Sequence, residues 1–372
     1  MKNTKQKLII LFLLVSCYMV EAQTYITWNE VEQARFGKEV IYKKVKDKTL
    51  LSGKYKIAST SGSYSDISFV DGKIDGVRTD YDSSDRKEAE AIFKNGVVDG
   101  KVVNFHQNGK VSTEEFYKNG IEDGAWKRYN YEGRLIESSN YIDGKREGKW
   151  MQEVIVPQEG VTRVEILNYK NDLPTGHWEA KTTDDVLVWH EDYKAAKDYT
   201  RKEYYANGKM EKLETYADGK LDGPFKYYGK EGNLKIEATY KNGYRVFRKG
   251  YHDTGKLAEV MSFENDKPNG NYEKYTSKGI KVSEGNFKDG RKDGVWKEFD
   301  TKKGNLESEV GYKNHRRSGE GKYYNEAKKL AETGNFVNDE KDGLWKYYDL
   351  AGDLEKEVEY DRGSIVSEKK YK

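Results

Sequence analysis

Cysteine is nearly missing from this chain. Cys17 is the only one among 372 residues, and proline is rare, at four. A chain with one thiol has no disulfide framework, so its fold must hold by packing alone. Aliphatic residues are scarce, and an excess of one charge is missing too. Sixty-six Lys and Arg stand against 64 Asp and Glu, interspersed along the whole length, for a net charge of +2. No strong field for nucleic acid follows from that balance. The length alone would suggest two or three domains, but a chain that is 35% charged does not read as ordinary globules. What is abundant is glycine, at 36, and tyrosine, at 30. Rings in such number exclude disorder and suit short strands and turns, where each aromatic buries a large area with few rotamers.

One long apolar run exists, Leu8 to Val20, preceded by lysines and followed by Val20-Glu21-Ala22 before Gln23. It is too short to span a membrane, and its small-residue exit reads as a secretory signal peptide over residues 1–22. Cleavage after Ala22 removes Cys17 and places the mature chain outside the cytoplasm, in the periplasm, at the outer membrane surface or in the medium. The alternative is that Leu14-Val15-Ser16-Cys17 acts as a lipobox and Cys17 becomes a lipidated N-terminus.

The rest of the chain is repetitive. Units begin at Phe69, Phe93, Tyr117, Tyr141, Tyr169, Tyr193, Tyr216, Tyr240, Phe263, Phe287, Tyr312, Phe336 and Tyr360, at intervals of 23 to 25 residues with one of 28. Most open on an aromatic, one residue, then Asn or Asp and usually Gly, as in FKNG, YKNG, YADG and FKDG. Asn-Gly and Asp-Gly supply the positive backbone angles of tight hairpin turns. A second glycine follows four residues later, as at Gly124, Gly223 and Gly294. Two residues beyond it comes a large ring, such as Trp126, Trp150, Trp178, Trp296 or Trp345. Another aromatic lies three residues on, as Tyr129 or Phe299, and then a second turn glycine, as Gly133 or Gly304.

After that turn runs a strand such as LKIEATY, Leu234 to Tyr240. Alternation puts Leu234 and Tyr240 on one face and Glu237 on the other. The same count puts Trp296 and Phe299 on opposite faces unless a bulge re-aims one of them. One unit is therefore one β-hairpin, and because a lone hairpin is marginal in water it must stack on its neighbours. The expected fold is all-β: an elongated, twisted antiparallel sheet of about 13 hairpins over residues 45–372, on the order of 120 Å long at about 4.8 Å per strand. Residues 23–44 would cap it, with Thr27 starting a short helix through Ala34 that ends near Gly37. The lysines of the last strand, in YDRGSIVSEKKYK, discourage pairing at the far edge.

These units resemble the MORN repeat, in the bacterial variant found in the YwqK-type antitoxin family. The family pattern is roughly G-x-W-x-x-Y-x-x-x-G-x-L-x-x-E-x-x-Y-x-x-G-x-x-x-G, and Gly124 to Gly148 follows it through Trp126, Tyr129, Gly133, Leu135, Tyr141 and Gly144. The resemblance covers about Phe69 to the C-terminus and implies a stacked hairpin sheet. For activity it implies little beyond protein scaffolding, phospholipid contact or an antitoxin role, and a secretion signal sits poorly with the last.

Chemistry is hard to find in the sequence. His106, His177, His190, His252 and His315 fall in different repeats with no metal-ligand spacing, so no metal and no cofactor is expected. The glycine pairs lead into strands, which excludes a phosphate loop at a helix N-terminus. Recurring Lys and Glu read as cross-strand pairs on a wet face. The basic group at Lys313 to Arg317 is followed by Glu320, and acids accompany the lysines elsewhere, unlike an anionic-lipid surface.

The pattern breaks between Tyr141 and Tyr216. One unit is lengthened by EVIVPQEGVTRVEI, Glu153 to Ile166, and the unit from Tyr193 lacks the paired glycines. Such breaks mark a bend, a protruding loop or a remodelled groove. Trp189-His190-Glu191-Asp192, within this stretch, is the most suggestive cluster. The expectation is a non-enzymatic, monomeric, exported binding or scaffold protein that meets a protein or cell-envelope partner. Its candidate surface is Trp126, Trp150, Trp178, Trp189, His190, Trp296 and Trp345, where rings dominate interface energetics if exposed. A glycan-binding aromatic ladder is the alternative, and membrane contact would run through a lipid on Cys17.

Overall fold

Lys288 and Arg291 face each other across Asp289 and Gly290, whose φ angles are 50° and 79°. Two successive positive φ values make the primed two-residue turn whose twist matches the flanking strands. The same turn recurs at Asn95-Gly96, Asn119-Gly120, Asp143-Gly144 and Asn242-Gly243. A computed structural model of the chain describes residues 22–36, 39–157 and 160–371. The signal-peptide reading of residues 1–22, apart from Ala22, and the lipidation site Cys17 lie outside the described residues.

The chain forms two units, one up to Glu147 and one from Gly148 onward. In the first, strands from Gly53–Ala58 through Leu135–Ile142 pair antiparallel with their sequence neighbours, and Thr24–Thr27 adds a parallel strand beside Gly53–Ala58. In the second, strands from Gly148–Val156 through Ser364–Lys370 form an antiparallel meander. The fold is all-β and mostly antiparallel, as the turn spacing predicts. The units are not uniform hairpins, however. In some repeats the strand after the turn breaks before the second glycine, as between Lys220–Leu221 and Gly223–Tyr228, and in others it continues as one bulged strand, as in Arg291–Phe299.

The helical cap expected from Thr27 to Ala34 is corrected. Trp28–Glu30 makes a single 3-10 turn, closed by the Glu30 carboxylate, which accepts from the Thr27 N–H at 2.8 Å and from its hydroxyl at 2.9 Å. The chain then enters the strand Val31–Phe36, paired antiparallel with Glu39–Lys44. The partner sequence EVIYKK, with two β-branched residues and a tyrosine, overrides the modest helix tendency of VEQARF. Gly37 lies outside the described residues. This hairpin still does capping work of a kind. Val31 and Tyr42 join Leu51, Tyr55, Ile57, Ile67, Phe69 and Ile74 in one buried cluster, the largest apolar core of the first unit.

Adjacent repeats are tied at their turns. The Gly96 N–H donates to the Ile74 carbonyl, Gly120 to Val98, Gly243 to Leu221 and Gly290 to Pro268. The acid before the second glycine adds another tie. Asp75 accepts from the Asn95 N–H at 3.0 Å, Asp99 from Asn119 at 3.3 Å, Asp222 from Asn242 at 3.0 Å and Asp342 from Arg362 at 3.2 Å. In these repeats one unit thus satisfies the backbone of the next one's turn, a role for the Asp that precedes that glycine.

The sheet's two faces differ. One carries the first ring of each repeat: Tyr272, Phe287, Trp296 and Tyr312 follow one another at centroid distances of 5.0 to 6.4 Å, mostly edge to face. The other carries charge, with Lys297 3.6 Å from Glu284 on one neighbouring strand and 3.5 Å from Glu309 on the other. The second aromatic belongs to this charged face. The Tyr129 hydroxyl donates to Glu114 at 3.0 Å and Tyr324 to Glu309 at 3.2 Å, so the strand parity that separates it from the tryptophan holds despite a register shift at each of these tyrosines.

Candidate functional site

The tryptophans divide into two groups. Trp296 and Trp345 are interior, 2% and 0% exposed. Each lies over a glycine on the preceding strand, Gly285 and Gly334, where an added β-carbon would collide with the indole. Their ring N–H groups donate to the Asn286 and Asn335 carbonyls, both at 3.0 Å, replacing ladder bonds that the bulge in each strand removes. The Lys292 and Lys341 ammonium groups sit over these two rings at 3.9 Å and close them from solvent. Burial holds the Lys292 amine below the usual lysine range. As candidate binding rings, Trp296 and Trp345 are therefore corrected to packing residues. Trp126 is half-buried opposite Ser139.

Trp150, Trp178 and Trp189 lie together in the stretch where the period breaks. Here the inserted residues lengthen a hairpin, Gly148–Val156 against Val161–Lys170, paired as far as Val156 and Val161. The ring row is densest on this side: Trp150, Tyr169, Trp178, Tyr193, Tyr199 and Tyr216 succeed one another at 5.2, 5.1, 4.9, 4.8 and 4.5 Å. The last two pairs are stacked. Trp150 and Trp178 are half-buried and Trp189 is buried. The Trp178 N–H donates to the Asn168 carbonyl at 2.8 Å, the same ten-residue relation that Trp296 and Trp345 make.

Beside this row runs a chain of ion pairs on the same face. Glu191 is buried and held by Arg201, with the Tyr193 hydroxyl donating to it at 2.7 Å. Arg201 also reaches Glu203 at 2.8 Å, and Lys212 reaches Glu203 at 3.2 Å and Glu214 at 3.3 Å. Burial opposes ionisation of Glu203, but Arg201 and Lys212 outweigh it and hold its carboxyl below the usual range. Burial, with Glu191 beside it, pushes the Tyr193 phenol far above its ordinary value. These groups are engaged with one another and have the geometry of structural pairs.

Where the long hairpin passes this network it leaves an open groove of about 880 Å³, lined among others by Val161, Arg163, Thr183, Leu187, Trp189 and Tyr204. The guanidinium of Arg201 covers the Trp189 ring at 5.0 Å, so polar groups and the edges of rings, not a bare indole face, meet the groove. Sequence reasoning located the disturbed stretch but not Arg163, Leu187 or Tyr204. Their only sequence signal is membership in units that depart from the period.

His190 and its neighbours point to the opposite, charged face. There the Asp192 carboxylate accepts from His177 Nδ1 at 2.7 Å and stands 3.5 Å from His190 Nε2. Burial lowers the His190 imidazole below its ordinary value, while the bond from His177 leads the effects that depress Asp192. His106 and His252 instead join neighbouring repeats, since their Nε2 atoms meet the Tyr129 and Tyr275 carbonyls of the next repeat at 3.0 and 2.9 Å.

Comparison with known proteins agrees with the repeat geometry. Four stretches, residues 98–119, 198–218, 221–242 and 341–362, match the family described as "MORN repeat variant". The chain carries MORN-type repeats, and the second of these stretches lies largely within the region whose glycine pairs are lost. No curated protein matches the chain. Among solved structures it is similar to one titled "Crystal Structure of TcdB2-TccC3", at 9% identity and a TM-score of 0.12, over 84% of this chain and 27% of that one.

Proposed function

We propose that the protein is a non-enzymatic binding or scaffold protein of the exported class, and that it holds its partner at residues 148–216. The observation that carries this reading is the groove under the lengthened hairpin. It is built where the repeat departs from its period, whereas Trp296 and Trp345 of regular repeats are spent on packing. A partner at such a site meets a mixed surface of arginine, threonine and tyrosine with a small apolar floor of Val161 and Leu187. That composition suits a polypeptide segment with its own polar backbone better than a flat apolar ligand. Burial of Trp296 and Trp345 weighs against a glycan ladder running along the repeats. The MORN-type repeats supply a stiff support of the kind scaffolds use, and the leader-like residues 1–22 motivate placement of the partner in the cell envelope.

The test is a photo-crosslinking amino acid placed at Thr183 in the groove, and at Lys303 in a regular repeat, in chains exposed to envelope fractions. One species crosslinked from Thr183 and not from Lys303, displaced by unlabelled chain, and bound at least ~10-fold more weakly by Arg163→Glu at unchanged melting temperature supports the reading. Equal capture from both positions, or binding indifferent to Arg163→Glu, refutes it.

A further inference from the structure

The charged face beneath the groove carries an arrangement that neither the repeat nor the binding reading uses. The strand Gly176–Thr182 places His177 and Glu179 on one face, two residues apart, and the strand Leu187–Ala195 places Asp192 opposite His177 and His190 opposite Glu179. Two imidazoles occupy one diagonal of this four-residue square and two carboxylates the other. Directly opposed β-carbons stand about 5 Å apart and diagonal ones about 7 Å, within reach of a common centre for His and Asp side chains.

The donor atoms are close as they stand. His177 Nδ1 is 2.7 Å from Asp192 Oδ1, His190 Nε2 is 3.5 Å from Asp192 Oδ2, and the two imidazole centroids are 5.2 Å apart. Donors bound to Zn²⁺ at about 2.0–2.1 Å in a tetrahedron lie about 3.3 Å from one another, so these separations bracket those of a coordinated set. As placed, no group of three or more His, Cys, Asp or Glu side chains among the described residues is arranged to hold a metal ion, so binding requires His177 and Asp192 to turn. Asp192 instead spans both imidazoles. His177 and Asp192 are each about half exposed, at 51% and 52%, and rotate without disturbing a core.

The Tyr204 hydroxyl lies 3.4 Å from His190 Nδ1, an outer contact of the kind that orients metal-binding histidines. Glu179, 3.9 Å from His177 Nε2 and 3.6 Å from Lys181 Nζ, and Lys202, paired with His190 on the next strand, are the further ionisable groups beside the square.

We propose that His177, His190 and Asp192 form a site for a borderline transition-metal dication such as Zn²⁺, with Glu179 as the carboxylate at the fourth corner. Two imidazoles and a carboxylate suit Zn²⁺, Cu²⁺ or Ni²⁺ rather than Mg²⁺ or Ca²⁺, which prefer an all-oxygen shell. Metal here would cross-link two adjacent strands at the place where the repeat is irregular. This goes beyond the binding function proposed above and does not depend on it.

The experiment is calorimetric titration of Zn²⁺ into the full chain, with Mg²⁺ as the comparison ion. Cys17→Ser and His315→Gln serve as controls, the second removing an exposed turn histidine remote from the square. One saturable Zn²⁺ site, kept in both controls, absent for Mg²⁺ and weakened by about 10-fold or more in His177→Gln and in Asp192→Asn, supports the assignment. Binding unchanged in His177→Gln, or lost in Cys17→Ser, overturns it. His177 is half exposed, so its variant folds even if the more buried His190→Gln does not.

Discussion

The indole of Trp345 fills the space that a side chain on Gly334 would occupy. The glycine is mid-strand and makes no turn; it sits opposite Gly321 and lets the largest ring of the next strand lie directly on its backbone. Gly285 stands to Trp296 in the same way. Gly334→Ala is expected to destabilise the second unit by about 1–3 kcal/mol, as forcing atoms into a filled site does. Trp345→Ala should cost about 3–5 kcal/mol by leaving that space empty. Thermal melts check both, and a Gly334→Ala chain that melts like wild type would contradict the packing.

Turn positions give changes of opposite sign. His315 occupies the second turn position with a φ of 73°, where most repeats have glycine. His315→Gly should relieve left-handed strain of about 1 kcal/mol, partly offset by glycine's greater freedom in the unfolded chain, and raise the melting temperature slightly. Gly290→Ala, at a φ of 79° where an added β-carbon meets only the Pro268 ring at an ordinary 3.9 Å, should cost about 1–2 kcal/mol for conformation alone.

The carboxylates between repeats predict a local effect. Asp222→Ala removes the acceptor for the Asn242 N–H and should cost about 1 kcal/mol. Amide exchange at Asn242 and Gly243 is the readout. Acceleration confined to that turn is the expected result, and unchanged exchange would mean that the carboxylate does no work there.

Acid stability should depend on Asp300. Backbone N–H bonds, led by those of Lys303 and Asn305, hold its carboxyl below the ordinary value of 3.8. A depressed folded value means stability that is present above the unfolded value and lost as pH falls through the folded one. Melting temperature should therefore drop below about pH 3.8 in wild type, and Asp300→Asn should be less stable at neutral pH but flatter across that acid limb. Parallel acid limbs in the two proteins would count against this assignment.

Much of the fold is legible in the sequence because its turns are chemical. Asn-Gly and Asp-Gly can do little else between aromatic strands, and their even spacing gives hairpins in series. The N-terminal segment is less legible because Thr27 and Glu30 form a true capping pair, yet the partner strand Glu39–Lys44 decides the structure beyond Glu30. The roles of Gly285 and Gly334 are also hidden, since a mid-strand glycine looks like a turn residue until the ring above it is known. At the candidate site, the broken period identifies residues 141–215. The square of His177, Glu179, His190 and Asp192 depends on cross-strand register, and a lengthened loop conceals register from sequence alone.

Packing and recognition separate most directly in residue-resolved hydrogen exchange of the full chain with and without the partner captured from Thr183. Added protection is expected around Val161 to Arg163, Thr182 to Val188 and Glu203 to Ala206, with the strands Arg291–Phe299 and Glu340–Tyr348 unchanged. Protection spread evenly over the repeats, or centred on Trp296 and Trp345, would contradict a binding site built from the broken period.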